Sequence, residues 1–170
     1  MEIRQETPQD YGAVYEVVKR AFSSAQHSDG TEQDLVTALR RSESFIPELS
    51  LVAVQDGRVV GHILFTRVYV GAQAALALAP LSVLPGCQRQ GIGTALMEEG
   101  HRVAAALGYG YSIVLGHPGY YPRAGYVPAS TYGIQAPFDV PDESFMALKL
   151  SGGTGQIAGR VRYDPAFGIG

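Results

Sequence analysis

The run Gln88-Arg89-Gln90-Gly91-Ile92-Gly93-Thr94 holds the residues best suited to chemistry. It follows an apolar segment, Ala74 to Leu84, that reads as a strand, and it opens a stretch with helical periodicity. A helix start offers N–H groups with no intrahelical acceptor, and the macrodipole adds about half a positive charge there. Gly91 and Gly93 have no side chain to hold a ligand away from the backbone, and Arg89 adds a fixed cation. Such a turn suits a phosphorylated ligand. A Walker A loop would need Lys-Ser/Thr where Thr94-Ala95 stand, and a Rossmann fingerprint would need a third small residue where Leu96 stands.

A second group lies downstream, at Tyr120-Tyr121-Pro122-Arg123-Ala124-Gly125-Tyr126-Val127. It offers two phenols ahead of a glycine, with room for one helix and one strand between it and the first run. The pattern Gln/Arg-x-x-Gly-x-Gly/Ala, preceded by Leu81-Ser82-Val83, resembles the acetyl-CoA-binding motif of the GCN5-related N-acetyltransferases. The second group resembles that family's tyrosine followed four residues later by Gly-Phe, with Tyr126 in place of Phe. Gly116 to Tyr126, Glu32 to Val36 and the tail from Gly159 to Phe167 also resemble a bacterial subgroup, the YhbS-like predicted acetyltransferases. The likeness therefore spans nearly the whole chain.

The resemblance implies a reaction: transfer of an acetyl group from acetyl-CoA to a primary amine of a small molecule or protein. It implies that the backbone from Gln88, Arg89 and Gln90 through Gly91, Ile92, Gly93 and Thr94 holds the diphosphate of the coenzyme. Leu81, Ser82 and Val83 would pair with the pantetheine arm like another strand, with His117 as a further cofactor contact. The backbone N–H of Val83 would be the oxyanion donor. Tyr121 takes the position of the general acid beside the leaving sulfur, a role Tyr120 could assume if the turn is offset by one residue. A free thiol titrates near pKa ~8.5 and a phenol near ~10, so full proton donation runs uphill by about 2 kcal/mol. Tyr121 is therefore expected to stabilise developing thiolate charge by hydrogen bonding, which typically contributes ~10²–10⁴-fold.

The general base stays open. Some members of the family carry a glutamate on the strand before the tyrosines, where this chain has Ile113, Val114 and Leu115. Glu32 and His117 are candidates; an ordered water could also serve, or the amine could arrive neutral. The missing glutamate leaves a second reading, a non-catalytic CoA-binding regulatory module.

Composition bounds the rest. The 170 residues are 46% hydrophobic and 17% charged, which fits one globular domain with a sizeable core. A net charge of −3 without a Lys/Arg cluster argues against nucleic acid as a partner. Cys87 is the single cysteine, so no internal disulfide forms, and no spacing of His, Asp, Glu or Cys suggests a metal site. The N-terminal Met1 to Glu6 has no apolar core of a leader and no run approaches ~20 apolar residues, so the expectation is a cytoplasmic protein without membrane contact.

The scaffold expected around these residues is α/β, more fully α+β. It is a mixed central sheet of about six to seven strands with helices on both faces, in the order β-α-α-β-β-β-α-β-α-β. That is the acyl-CoA N-acyltransferase fold the resemblance implies. Thr7-Pro8 should start a first helix whose stripe is Tyr11, Val14, Tyr15, Val18 and Phe22. His27 to Gly30 should break the chain before a second helix, and Asp56-Gly57 reads as a hairpin turn. The third helix should run to Leu107, burying Ile92, Ala95, Leu96, Val103 and Leu107, with Gly108 as its left-handed cap. Residues 1–150 would form the catalytic domain, and 151–170 a glycine-rich connection from Ser151 to Ile157 followed by a tail packed on its edge. An exposed edge strand near the C-terminus could support a homodimer.

Overall fold

The computed structural model describes residues 1–23, 28–150 and 157–169. Within them the chain runs β1 (Glu2–Gln5), α1 (Tyr11–Phe22), α2 (Glu32–Arg40), β2 (Phe45–Gln55), β3 (Arg58–Val70), β4 (Gln73–Val83) and α3 (Ile92–Ala106). It continues through β5 (Tyr111–Leu115), β6 (Val127–Pro128), β7 (Ile134–Gln135), β8 (Phe145–Lys149) and β9 (Gly159–Arg162). The fourth helix of the expected order is a short 3-10 turn, Tyr121–Ala124. His27 of the expected chain break, and residues 151–156 of the expected connection, lie outside the described residues.

The sheet has the order β1-β2-β3-β4-β5-β8-β6, and β9 pairs with both β3 and β7. It counts nine strands among the described residues, against the six to seven expected. The surplus comes from β6 and β7, each only two residues long, and from the tail strand β9. Within the order just given, β4 and β5 run parallel and every other neighbouring pair is antiparallel.

Local chemistry explains the main joints. Asp56 and Gly57 both take positive φ, 53° and 75°, and close the β2–β3 hairpin with Gln55 opposite Arg58. That is the geometry Asp-Gly is chosen for. Leu51, Ile63, Phe65 and Leu78 face α3, whereas Val52 and Leu64 face α1 and α2. Each such fully buried side chain stabilises the fold by about 1.5–3 kcal/mol. α3 lies so close to the sheet at Gly100 that a β-carbon there would overlap the Phe65 ring.

Two expected core residues are on the surface. Tyr11 is 39% exposed, with the Arg40 guanidinium 4.1 Å from its ring centroid, because α1 starts there and buries Val14, Val17 and Val18 instead. Leu107 is 42% exposed, since the helix ends at Ala106 and its inner face is Ile92, Leu96, Met97, Gly100 and Ala104. Gly108 does take the left-handed cap, at φ 92°.

Candidate functional site

The site is made where β4 leaves β5. Leu76 pairs with Ser112 and Ala77 with Ile113, and there the parallel ladder stops. β4 runs on along β3 to Val83, while β5 stays paired with β8 along its whole length, to Leu115 opposite Phe145. Ala79 and Pro80 together oppose Leu64, a register shift that bends β4 just past the last shared rung. Proline has no N–H to give to a ladder, which makes it tolerable at such a bulge.

The segment beyond the bulge has a free edge. Leu84 N–H donates to the Val60 carbonyl at 2.9 Å, and Ser82 stands opposite His62 in the same register. In an antiparallel ladder alternate residues point their backbone groups to opposite sides. Ser82 therefore spends its groups on β3, and Leu81 and Val83 turn theirs to the open side. Among the described residues the Val83 carbonyl meets only Gln88 there, whose Nε2 donates to it at 3.4 Å.

α3 begins at one end of this opening. Arg89 and Gly91 take positive φ, 64° and 82°, and this wraps the loop so that the helix starts abruptly at Ile92. Its first bond, Ala95 N–H to the Gly91 carbonyl at 3.0 Å, leaves the N–H groups of Ile92, Gly93 and Thr94 without a protein acceptor among the described residues. Gln88, Arg89, Gln90 and Gly91 are exposed. The donors needed for an anion are thus free, and Arg89 has no ion-pair partner among the described residues.

Tyr120 lies across the opening, and Tyr121 packs beside it. A β-carbon built on Gly93 would stand 2.5 Å from the Tyr120 hydroxyl and 3.7 Å from Leu81 Cδ2. The Tyr121 ring packs on the Gly116 backbone and meets Tyr120 and Tyr126 edge-on, with centroids 5.1 and 5.7 Å away. Its hydroxyl has no hydrogen-bond partner among the described residues. Burial, with a smaller contribution from Tyr120, raises the Tyr121 pKa above that of an ordinary phenol. A phenol so placed keeps its proton and acts as a hydrogen-bond donor.

The two candidate bases stand on other elements, although the His117 carbonyl accepts from Tyr120 N–H at 3.1 Å. Glu32 sits in the first turn of α2, where its carboxylate accepts from the Ser28 hydroxyl at 2.7 Å. It lines a groove of about 480 Å³ with Asp29, Asp34, Leu35 and Phe167. His117 is exposed in the turn after β5, and its Nδ1 accepts from Gly119 N–H at 2.9 Å. Neither makes a hydrogen bond to Tyr121 or to β4. Cys87 is half-buried beside the loop, with its thiol packed among apolar side chains.

Two polar networks went unread in the sequence. Glu6 accepts from Arg40 Nε and Nη2 at 3.0 and 2.7 Å and from the Ser50 hydroxyl at 2.9 Å, with His62 Nε2 2.9 Å from that same hydroxyl. Burial lowers the His62 pKa to about 4, against the opposing pull of Glu6. On the other face, the Tyr126 hydroxyl lies between His101 and Ser112. The available signal was a polar residue inside an apolar strand, as in Gly61-His62-Ile63-Leu64, but its partners are distant in sequence. Among the described residues no group of His, Cys, Asp or Glu is placed to hold a metal ion, and no helix is long and apolar enough to cross a membrane.

Comparison with known proteins decides the family. The profile of the acetyltransferase (GNAT) family matches residues 12–126, more than half of the chain and both groups described above. The chain belongs to the GNAT family. This GNAT protein is 37% identical over 161 residues to the uncharacterized N-acetyltransferase YjhQ of Escherichia coli strain K12, a match covering 90% of this chain and 86% of YjhQ. Among solved structures it is similar to a GNAT acetyltransferase from Brucella melitensis in complex with acetyl-CoA, at 34% identity and TM-score 0.82, covering 98% and 97% of the two chains. It is likewise similar to YhbS from Escherichia coli in complex with CoA, at 28% identity and TM-score 0.88, covering 98% and 91%.

Proposed function

We propose that this protein is an acetyl-CoA-dependent N-acetyltransferase acting on a primary amine of a small molecule or peptide. The observation that carries the reading is the junction of two sets of main-chain groups turned to one opening, the outward-facing edge at Leu81 and Val83 and the N–H groups of Ile92 to Thr94 that have no acceptor among the described residues. The first set suits an extended amide-bearing arm, and the second suits a diphosphate at the far end of the same ligand. The relatives crystallised with acetyl-CoA and with CoA support that choice of ligand.

Acetyl-CoA brings an activated thioester to such a site. The residues of this chain then do four things. The α3 amides and Arg89 fix the remote end, so binding energy far from the reacting carbon positions the acyl group. The open edge of β4 holds the arm in register. Val83 N–H faces the negative charge that develops on the acyl oxygen, a donor worth about 3–4 kcal/mol when preorganised. Tyr121 donates a hydrogen bond to the departing sulfur.

The test is thiol release from acetyl-CoA over a panel of primary amines, with the wild type and Tyr121→Phe. Turnover with at least one amine, falling sharply in the variant, supports the enzyme reading. Tight acetyl-CoA binding with no turnover on any amine would leave a CoA-binding module.

A further inference from the structure

We propose that His101, acting through the Tyr126 hydroxyl, is a positioning residue that aims the Tyr121 hydroxyl across the cofactor opening. The inference rests on the reading of Tyr121 just given.

Tyr126 is 1% exposed, and its hydroxyl lies 2.9 Å from His101 Nε2 and 2.7 Å from Ser112 Oγ. A phenol has one proton, so it donates to one neighbour and accepts from the other. The three residues come from three elements. His101 is on α3, whose first turn faces the opening. Ser112 is on β5, on one of the two rungs still shared with β4. Tyr126 follows the 3-10 turn that carries Tyr121. One buried hydroxyl therefore pins together the donor helix, the far wall of the opening and the tyrosine turn.

The pin reaches Tyr121 through packing. The Tyr126 ring meets the Tyr121 ring at 5.7 Å and 76°, and the His101 ring at 5.5 Å and 51°. Behind Tyr121 the Gly116 backbone is so close that a β-carbon there would overlap the ring. Tyr121 is thus held between a strand end and a ring whose own rotation would break two buried hydrogen bonds. Its hydroxyl has no hydrogen bond of its own among the described residues, so packing alone aims it. This gives a physical reason for Tyr126 where the family has Phe: a phenylalanine would fill the same space but leave His101 and Ser112 without their shared partner. Burial lowers the His101 pKa to about 4, so the imidazole stays neutral and the pin unchanged through neutral pH.

The test is a double-mutant cycle with the fastest amine of the panel. His101→Leu should lower kcat roughly ten- to hundredfold, as a misaimed group does, with the acetyl-CoA Kd unchanged within about twofold. His101→Gln, whose amide nitrogen can reach Tyr126, should recover most of that loss. In a Tyr121→Phe background His101→Leu should change kcat by less than about twofold, because the group it aims is gone. An equal loss in both backgrounds, or a Kd weakened in proportion, would mean general structural support and overturn the inference while leaving Tyr121 in place. Wild-type kcat in Tyr121→Phe alone would instead remove the reading of Tyr121, and this inference with it. Carbon-13 labelling of the tyrosine ζ-carbons gives a readout free of turnover. The Tyr121 signal should move in His101→Leu and in Tyr126→Phe and return in His101→Gln; a signal unmoved in both variants would overturn the inference.

Discussion

The Tyr120 hydroxyl lies over Gly93, 2.5 Å from where a β-carbon would stand, so a side chain at Gly93 would displace it. The same glycine carries one of the three unused N–H groups facing the opening. Gly93→Asp therefore adds bulk under Tyr120 and a negative charge where a diphosphate is expected. Acetyl-CoA affinity should fall by more than about a hundredfold, that is more than about 2.7 kcal/mol. Calorimetry on folded protein checks it, and an affinity within a few-fold of wild type would place the ligand elsewhere.

Tyr121→Phe should separate chemistry from binding. The ring packing on Gly116 and Tyr126 survives the change, and only the hydroxyl is lost. Turnover should drop by ~10²-fold or more with acetyl-CoA affinity nearly unchanged. Equal losses in kcat and affinity would show that the hydroxyl supports packing instead.

The buried pair of Arg40 and Glu6 makes a stability prediction. Their side chains are 10% and 2% exposed, and the contact is bidentate. Arg40→Met leaves the Glu6 carboxylate buried beside His62 and Ser50 with no cation, which should destabilise the fold by about 3–5 kcal/mol. Converting Glu6→Gln in the same chain should restore part of that loss. Urea unfolding checks both, and a single-variant loss below about 1 kcal/mol would mean that water reaches the pair.

Acid should act first through histidine. The His62 pKa falls from 6.5 to about 4 on burial, and His101 falls likewise. Between those values the unfolded chain binds protons that the folded chain refuses, so stability is complete above pH 6.5 and is lost as pH falls toward 4. Asp10, held at about 2 chiefly by its hydrogen bond from Arg4, adds a further loss only below about 3.8. The drop in unfolding midpoint from pH 6.5 to 4 should be roughly halved in His62→Gln, with His101 supplying the rest. An undiminished slope would exclude His62 as a source.

Much of this was legible in the sequence because the signals are local. Asp56-Gly57 fixes its own hairpin, and the Gly91-x-Gly93 turn announces a helix start with open amides. The Tyr120-Tyr121 pair reaches the same opening through one intervening helix and strand. What stayed hidden depends on contacts between distant residues. Glu6 meets Arg40, Ser50 and His62 only once β1, α2, β2 and β3 are assembled, and Tyr126 finds His101 and Ser112 only after three elements converge. Tyr11 and Leu107 failed as core residues for a related reason: at a helix end, rotation by one residue turns an apolar side chain from the sheet to solvent.

The most direct measurement is a crystal structure of this protein with CoA. The diphosphate oxygens should lie within hydrogen-bond distance, ~2.7–3.2 Å, of the N–H groups of Ile92, Gly93 and Thr94, with the pantetheine arm along Leu81 to Val83. A diphosphate bound away from α3, or an arm that leaves the edge of β4 unpaired, would contradict the assignment.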